Sequence, residues 1–275
     1  MWVADFFTAR GIAVLAYDKR GVGGSTGDLT TASLDDLATD ALAAVEFLRA
    51  RRDIRANRIG LYGSSNGSWV APIAATRAPD RIAFIIARSA SALPQRENII
   101  YEVEGDLRSN GYGDDVVARA RELHRLDMAV VAAGGEGWGE LRAALAAARN
   151  EPWFALVRLP GQIIEFNEQN RANIESFIAA ERRGQIDPPA LWSQIRQPVL
   201  IQIGGYDRYV PGPQSAELLR AALASNPQAQ VMLYATGDHP MFDSISGYER
   251  DIPRVSLYVE GYLADLHAFT LRMAR

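Results

Sequence analysis

The feature that most constrains this chain is Gly63-Ser64-Ser65-Asn66-Gly67, which stands directly after a short β-rich run, Arg58 to Gly63, and directly before a helical pattern from Gly67 to Ala78. A serine at so sharp a strand-to-helix turn is forced into a strained conformation, and small residues two before and two after it let the backbone cross itself closely. The Ser65 hydroxyl is then expected to project above the edge of a sheet. The N–H of Asn66 falls at a helix N-terminus, where unpaired donors and the helix dipole stabilise a developing oxyanion. Gly and Ser are common in loops, so the five residues alone also fit a plain turn; the strand before them and the helix after them favour the first reading.

A serine hydroxyl needs a base to take its proton, and histidine is the side chain most often used at neutral pH. The chain has three histidines. His124 falls within a helical pattern among charged neighbours and His267 within the closing helical pattern, both read best as packing or surface residues. His239 instead follows the last β-rich run, in Thr236-Gly237-Asp238-His239-Pro240, at the carboxyl edge where open α/β sheets bind ligands. The acid that would orient it is expected to be Asp207, in the segment Gly204 to Pro211 just after the run Pro198 to Ile203. A turn aspartate or helix cap is the default for such a residue taken alone. Asp238 and Asp243 stand nearer His239 in sequence and remain possible substitutes.

The rest of the chain alternates. Trp2, Val3, Phe6 and Phe7 recur at helical spacing before Gly11, and Ile12 to Tyr17 reads as a buried strand. Ser33 with Asp36 resembles a capping box ahead of a helix whose apolar face carries Leu34, Leu37, Ala41, Leu42, Val45 and Leu48. Ile82 to Ala87 is a further strand. From Ser89 to about Gln197 only helical patterns occur, at Asp114 to Ala133, Trp138 to Ala148 and Phe166 to Arg182, with breaks at Gly134-Gly135 and Asp187-Pro188-Pro189. A structureless loop of that length would be far beyond the usual limit of roughly 12 to 15 residues, so a helical insertion is expected. The alternation resumes with a helix from Pro213 to Ala224, a strand at Gln230 to Ala235 and a closing helix from about Ile252 to Met273. Strands alternating with helices predict a parallel sheet covered on both faces.

The three candidates occur in the order serine, aspartate, histidine, each after a strand, and in that order the chain resembles the α/β-hydrolase family along essentially its whole length. Tyr17 to Gly27 resembles the loop after the family's fourth strand, and Asp207 to Pro211 its acid loop. With Gly63 to Pro72, the likeness is strongest to bacterial esterases related to serine aminopeptidases and prolyl-oligopeptidase-like enzymes. The resemblance implies an α/β-hydrolase fold in three stretches: core at 1–88, a helical cap at 89–197, and core again at 198–275. It implies Ser65 as nucleophile, His239 as general base, Asp207 as orienting acid and the Asn66 N–H as oxyanion donor, with no metal or organic cofactor. A serine at the elbow, where dehalogenases and epoxide hydrolases carry an aspartate, argues against their chemistry.

One departure stands out. The family has three strands before its first helix, the third ending in a His-Gly loop that supplies a second oxyanion N–H, and these strands 1 to 3 are not found here. Either the chain is a fragment of a longer product, or the sheet closes up by pairing Ile12 to Tyr17 directly with Arg58 to Gly63. The Gly21 to Gly24 loop is then the first alternative source of a second donor.

The substrates the resemblance implies are small or medium acyl esters, or short peptides. An aminopeptidase would need carboxylates to hold a substrate ammonium, and Glu102, Glu104, Glu165 and Glu168 are the candidates, though each also fits a solvent-facing charge. Trp138, Trp153, Phe154 and Phe166, with Met128 and Trp192, are candidate acyl-pocket residues whose commoner role is core packing. A third reading, an impaired or non-catalytic binding module, is favoured only by the missing oxyanion loop. With 33 acidic and 29 basic residues and no basic cluster, nucleic acid is not an expected partner. No cysteine is present, which excludes disulfides and thiolate sites. The first ten residues lack the features of a secretory signal, and no apolar run reaches the roughly 18 residues of a membrane span. A soluble, cytoplasmic chain is expected, with export left open because a signal could precede Met1 and oligomeric state left open altogether.

Overall fold

The computed structural model describes residues 2–29, 31–165, 169, 171–183, 185–248 and 257–274. The chain divides into two compact units. Unit 1 comprises Met1–Ala92, Asp187–Asp207 and Pro211–Arg275, and unit 2 comprises Leu93–Ile186 with Arg208–Val210. The expected insertion at 89–197 compares with a unit 2 that begins at Leu93, and Asp187 to Gln197 belong to unit 1.

Unit 1 contains α1 (Trp2–Thr8), α2 (Leu34–Arg49), β1 (Gly60–Ser64), α3 (Gly67–Arg77) and β2 (Phe84–Arg88) in its first stretch. Unit 2 contains α4 (Gln95–Ser109), α5 (Asp114–Ala132), α6 (Trp138–Ala148), α7 (Gly161–Ile164) and α8 (Arg171–Arg183). Unit 1 then resumes with α9 (Pro188–Trp192), β3 (Val199–Gly204), α10 (Gly212–Ala222), β4 (Ala229–Tyr234) and α11 (Tyr262–Ala274). The four strands form one parallel sheet in the order β1-β2-β3-β4.

The two central strands are apolar without interruption because both faces of the sheet are covered. Ile86 and Leu200, paired in register, pack against Val3 and Phe7 of α1 and Leu266 and Phe269 of α11. Successive side chains of a strand point to opposite faces, so Ile85, Ala87, Val199 and Ile201 fill the other side, and all four are buried. There α3 packs on β1 and β2, α2 packs on α3, and α10 packs on β3 and β4. α2 begins as its sequence dictates: Ser33 and Asp36 satisfy each other's backbone N–H in a capping box. Unit 2 has its own core, with Leu107, Val117, Leu123, Val130, Leu141 and Ile174 among its buried residues.

Two expectations fail in unit 1. Ile12 to Tyr17 is not a strand: no described strand pairs with it, and Val14, Leu15 and Tyr17 are 37%, 37% and 49% exposed. The sheet therefore does not close up by pairing this segment with β1, which remains an edge strand. β-rich composition describes a residue's fit to a pleated surface, and without a neighbour to satisfy its N–H and C=O groups the segment gains nothing from strand geometry. The closing helix begins at Tyr262. Of the segment expected to precede it, 252–256 lie outside the described residues, whereas Leu257 to Gly261 are non-helical, and Tyr258 bridges to Phe242 with the two rings stacked at 5.0 Å. In unit 2, α4 forms where the sequence predicts no particular helix, and part of the expected helix at Phe166 to Arg182 lies outside the described residues. No described helix is long and apolar enough to cross a membrane.

Candidate active site

Ser65 leaves β1 with a φ of +53°, a left-handed conformation that non-glycine residues rarely adopt. The turn is held by local hydrogen bonds: the Ser65 N–H donates to the Arg88 carbonyl at 2.9 Å, and the Ser68 N–H donates to the Ser65 carbonyl at 2.8 Å. Gly63 is required because a Cβ there would lie 2.3 Å from the Gly67 carbonyl oxygen. Gly67 itself would meet nothing within 4 Å, so only one of the two flanking glycines is there for close crossing.

The N–H groups of Asn66 and Gly67, at the start of α3, donate to no described residue. Both are orphan donors of a helix N-terminus, as the sequence suggested for Asn66. The Gly21 to Gly24 loop is differently placed. Its Gly21, Val22 and Gly24 N–H groups are already given to the Thr26 carbonyl, the Lys19 carbonyl and the Asp18 carboxylate.

Asp207 and His239 meet because the loops after β3 and β4 run backbone against backbone. The Gly205 N–H donates to the Tyr234 carbonyl at 2.7 Å and the Tyr206 N–H to the Gly237 carbonyl at 2.9 Å. A Cβ on Gly204 would fall 2.2 Å from the Gly237 oxygen. His239 Nδ1 lies 2.8 Å from Oδ2 and 3.0 Å from Oδ1 of Asp207. An ionised carboxylate only accepts, so Nδ1 carries the proton and donates, which leaves the Nε2 lone pair for a base. The Asp207 side chain is fully buried and that of His239 is 19% exposed.

The two other aspartates are occupied. Asp238 accepts the Phe242 N–H at 2.7 Å, and its carboxyl is raised above the usual range, first by burial and then by the nearby Asp207 charge, against the lowering effect of that hydrogen bond. Asp243 accepts the Thr236 hydroxyl at 2.5 Å. Both serve the loop that presents His239. The Ser65 hydroxyl makes no hydrogen bond with a described residue.

The remaining candidates lie in unit 2, apart from Trp192, which is buried in unit 1. Trp153 is 2% exposed within the unit 2 core, with Trp138 and Phe154 packed against that cluster. Trp138 also lines a cleft of about 190 Å³ with Val130, Ile174 and Ile178. Phe166 and Glu168 lie outside the described residues. Glu102 pairs with Arg158 at 2.9 Å, and Glu104 forms a short two-toothed ion pair with Arg121. His124 is buried and its Nε2 donates to the Val157 carbonyl at 2.7 Å, so it acts in packing unit 2. Sequence reasoning passed over Arg88 and Ser89, at the end of β2, because neither lies in a recognisable pattern.

A parallel sheet carrying a strained serine between strand and helix, with an aspartate–histidine pair on the loops after β3 and β4 of its carboxyl edge, defines an α/β hydrolase. The chain belongs to the X-Pro dipeptidyl-peptidase (S15) family, whose model matches residues 2–239. Among solved structures it is similar to the esterase Pf2001 of Pyrococcus furiosus, at 19% identity and a TM-score of 0.55 over 99% of this chain and 74% of that one. It is likewise similar to mouse alpha/beta hydrolase domain-containing protein 10, at 17% identity and a TM-score of 0.51 over 98% and 82%. At these identities the likeness is one of fold. No curated protein sequence matches the chain.

Proposed function

We propose that this chain is a serine hydrolase that cleaves acyl esters through an acyl-enzyme on Ser65. The observation that carries the reading is the His239–Asp207 pair at 2.8 Å, on the same sheet edge from which Ser65 emerges at a φ of +53°. Ser65 Oγ attacks the acyl carbonyl carbon while its proton passes to His239 Nε2. The negative charge moves to the carbonyl oxygen, where the Asn66 N–H is the donor. Collapse of this intermediate expels the alcohol, which takes the proton back from the imidazolium. Water then repeats the sequence on the acyl-enzyme, with His239 again taking the proton, and releases the carboxylic acid. Asp207 keeps the imidazole in the productive tautomer and stabilises the imidazolium.

Cleavage of short peptides is the second reading, and the match to a family described as dipeptidyl-peptidases favours it. Against it, Glu102 and Glu104, two of the carboxylates that could hold a substrate ammonium, are neutralised by arginines. The test is a panel of p-nitrophenyl esters of rising chain length beside aminoacyl and X-prolyl p-nitroanilides, with Ser65→Ala as control. Ester turnover that vanishes in Ser65→Ala supports the proposal, and preference for an anilide supports the peptidase. Turnover of neither, with no fluorophosphonate labelling of Ser65, makes the chain a non-catalytic member of its fold.

A further inference from the structure

Arg88 and Ser89, the residues at which β2 ends, hold both halves of the candidate site. Arg88 pairs in register with Ser64, and its carbonyl accepts the Ser65 N–H. Its guanidinium donates through Nε and Nη2 to the Ser64 hydroxyl at 3.0 and 2.6 Å, and through Nη1 to the Pro240 carbonyl at 3.2 Å. Ser89 donates its hydroxyl to the His239 carbonyl at 2.6 Å and its N–H to the Gln202 carbonyl at 2.8 Å. One dipeptide therefore touches the residue before the nucleophile, the nucleophile's own N–H, the base and the residue after the base.

The conformation of Ser89 points the same way. Its φ is +52°, so it leaves β2 in the left-handed region just as Ser65 leaves β1, one position beyond the paired Ser64 and Arg88. Ser89 is fully buried. A left-handed serine is strained and persists only where its surroundings over-determine it. A glycine would hold the same φ without strain but could not reach the His239 carbonyl. The side chain is what the position uses.

We propose that Ser89, assisted by Arg88, is a positioning residue that sets the His239 loop against Ser65. The inference rests on the proposed reaction of Ser65 and His239. Arg88 finds no carboxylate partner among the described residues, so its charge is spent on the Ser64 hydroxyl and the Pro240 carbonyl, with Tyr62, Tyr258 and Tyr262 near enough to feel it. Displacing a catalytic group by about 1 Å can cost on the order of 10² in rate.

The test compares Ser89→Gly, Ser89→Ala and Arg88→Lys with Ser91→Ala, a truncation of another buried serine two residues on. The readouts are kcat and KM on the best ester, melting temperature, and the low-field proton resonance of His239 Nδ1–H bonded to Asp207. Both Ser89 variants are expected to lose roughly 10- to 100-fold in kcat with KM within about twofold. Ser89→Gly, freed of strain, should melt higher than Ser89→Ala yet be no more active, a separation that a purely structural role would not produce. The His239 resonance should broaden in both and persist in Ser91→Ala. Arg88→Lys keeps the charge but cannot span Ser64 and Pro240, and should lower kcat in the same direction even if the Ser89 variants fail to fold. Variants that keep kcat within twofold and an intact resonance overturn the positioning role while leaving the Ser65 reaction standing. If the unaltered chain turns over no substrate, the reaction fails separately, and the resonance alone then decides whether Ser89 holds the base.

Discussion

A side chain on Gly63 would set its Cβ 2.3 Å from the carbonyl oxygen of Gly67, whereas one on Gly67 would meet nothing within 4 Å. The two glycines that bracket Ser65 in sequence are therefore unequal. Gly63→Ala is expected to displace the start of α3, lower the melting temperature by several degrees and reduce turnover at least 100-fold, because the strand and helix cannot separate without moving Ser65. Gly67→Ala is expected to be neutral or slightly stabilising, since alanine is favoured over glycine in a helix by roughly 0.8 to 1.0 kcal/mol. Thermal melting and ester kinetics of the pair check this. Equal sensitivity at both positions would contradict it.

Asp207→Asn is expected to lower kcat by on the order of 10⁴, the loss seen when the orienting acid of such a triad becomes an amide and the histidine tautomer is no longer fixed. Asp238→Asn and Asp243→Asn should cost far less, because these carboxylates accept the Phe242 N–H and the Thr236 hydroxyl within their own loop. Steady-state kinetics of the three variants separates them, and a greater loss from either loop aspartate would transfer the role away from Asp207.

Asp127 lies buried in unit 2, 2.5 Å from Arg96 Nη1, while Arg96 Nε donates to Glu181 at 2.8 Å. Burial pushes the Asp127 carboxyl up to about 6, outweighing the pull of the Arg96 charge. An acid whose folded pKa is raised binds its proton more readily in the native state. The native state is accordingly stabilised as pH falls from about 6 towards the unfolded value near 4, and the penalty is fully present above about 6. At 1.36 kcal/mol per pKa unit, the effect is at most on the order of 3 kcal/mol. Urea midpoints of the unaltered chain and Asp127→Asn between pH 4 and 7 should differ in slope, the variant lacking this component. Parallel slopes would show that Asp127 does not titrate in that range.

The edge of the sheet at β1 offers a further measurement. The Ser65 N–H faces β2, so by alternation the backbone groups of Gly60, Tyr62 and Ser64 face away from it. With Val14, Leu15 and Tyr17 also exposed, β1 has no partner on its outer edge among the described residues, and apolar side chains stand open to solvent. Such features template association. Light scattering should show concentration-dependent self-association of the 275-residue chain, reduced by Leu15→Lys. A monodisperse monomer at high concentration would refute this.

Local pattern was enough wherever the deciding forces were local. The capping box at Ser33 and Asp36, the extent of α6 from Trp138 to Ala148 and the turn at Ser65 between β1 and α3 depend on neighbours within a few residues, so the sequence carried them. The placing of serine, aspartate and histidine behind β1, β3 and β4 was legible for the same reason, because each strand's end is marked by its own run of residues.

What only the tertiary structure decided was partnership over distance. Ile12 to Tyr17 has the composition of a strand, but a strand exists only where another supplies its hydrogen bonds, and no residue within the segment encodes whether one does. The hydrogen bond between His239 and Asp207 follows from loops after β3 and β4 that lie backbone against backbone, with the two residues 32 apart in sequence. Ser89 carries no motif because its hydroxyl answers to a carbonyl 150 residues away. Short-range propensity fixes which elements form, and the packing of one element's end against another's fixes which side chains meet.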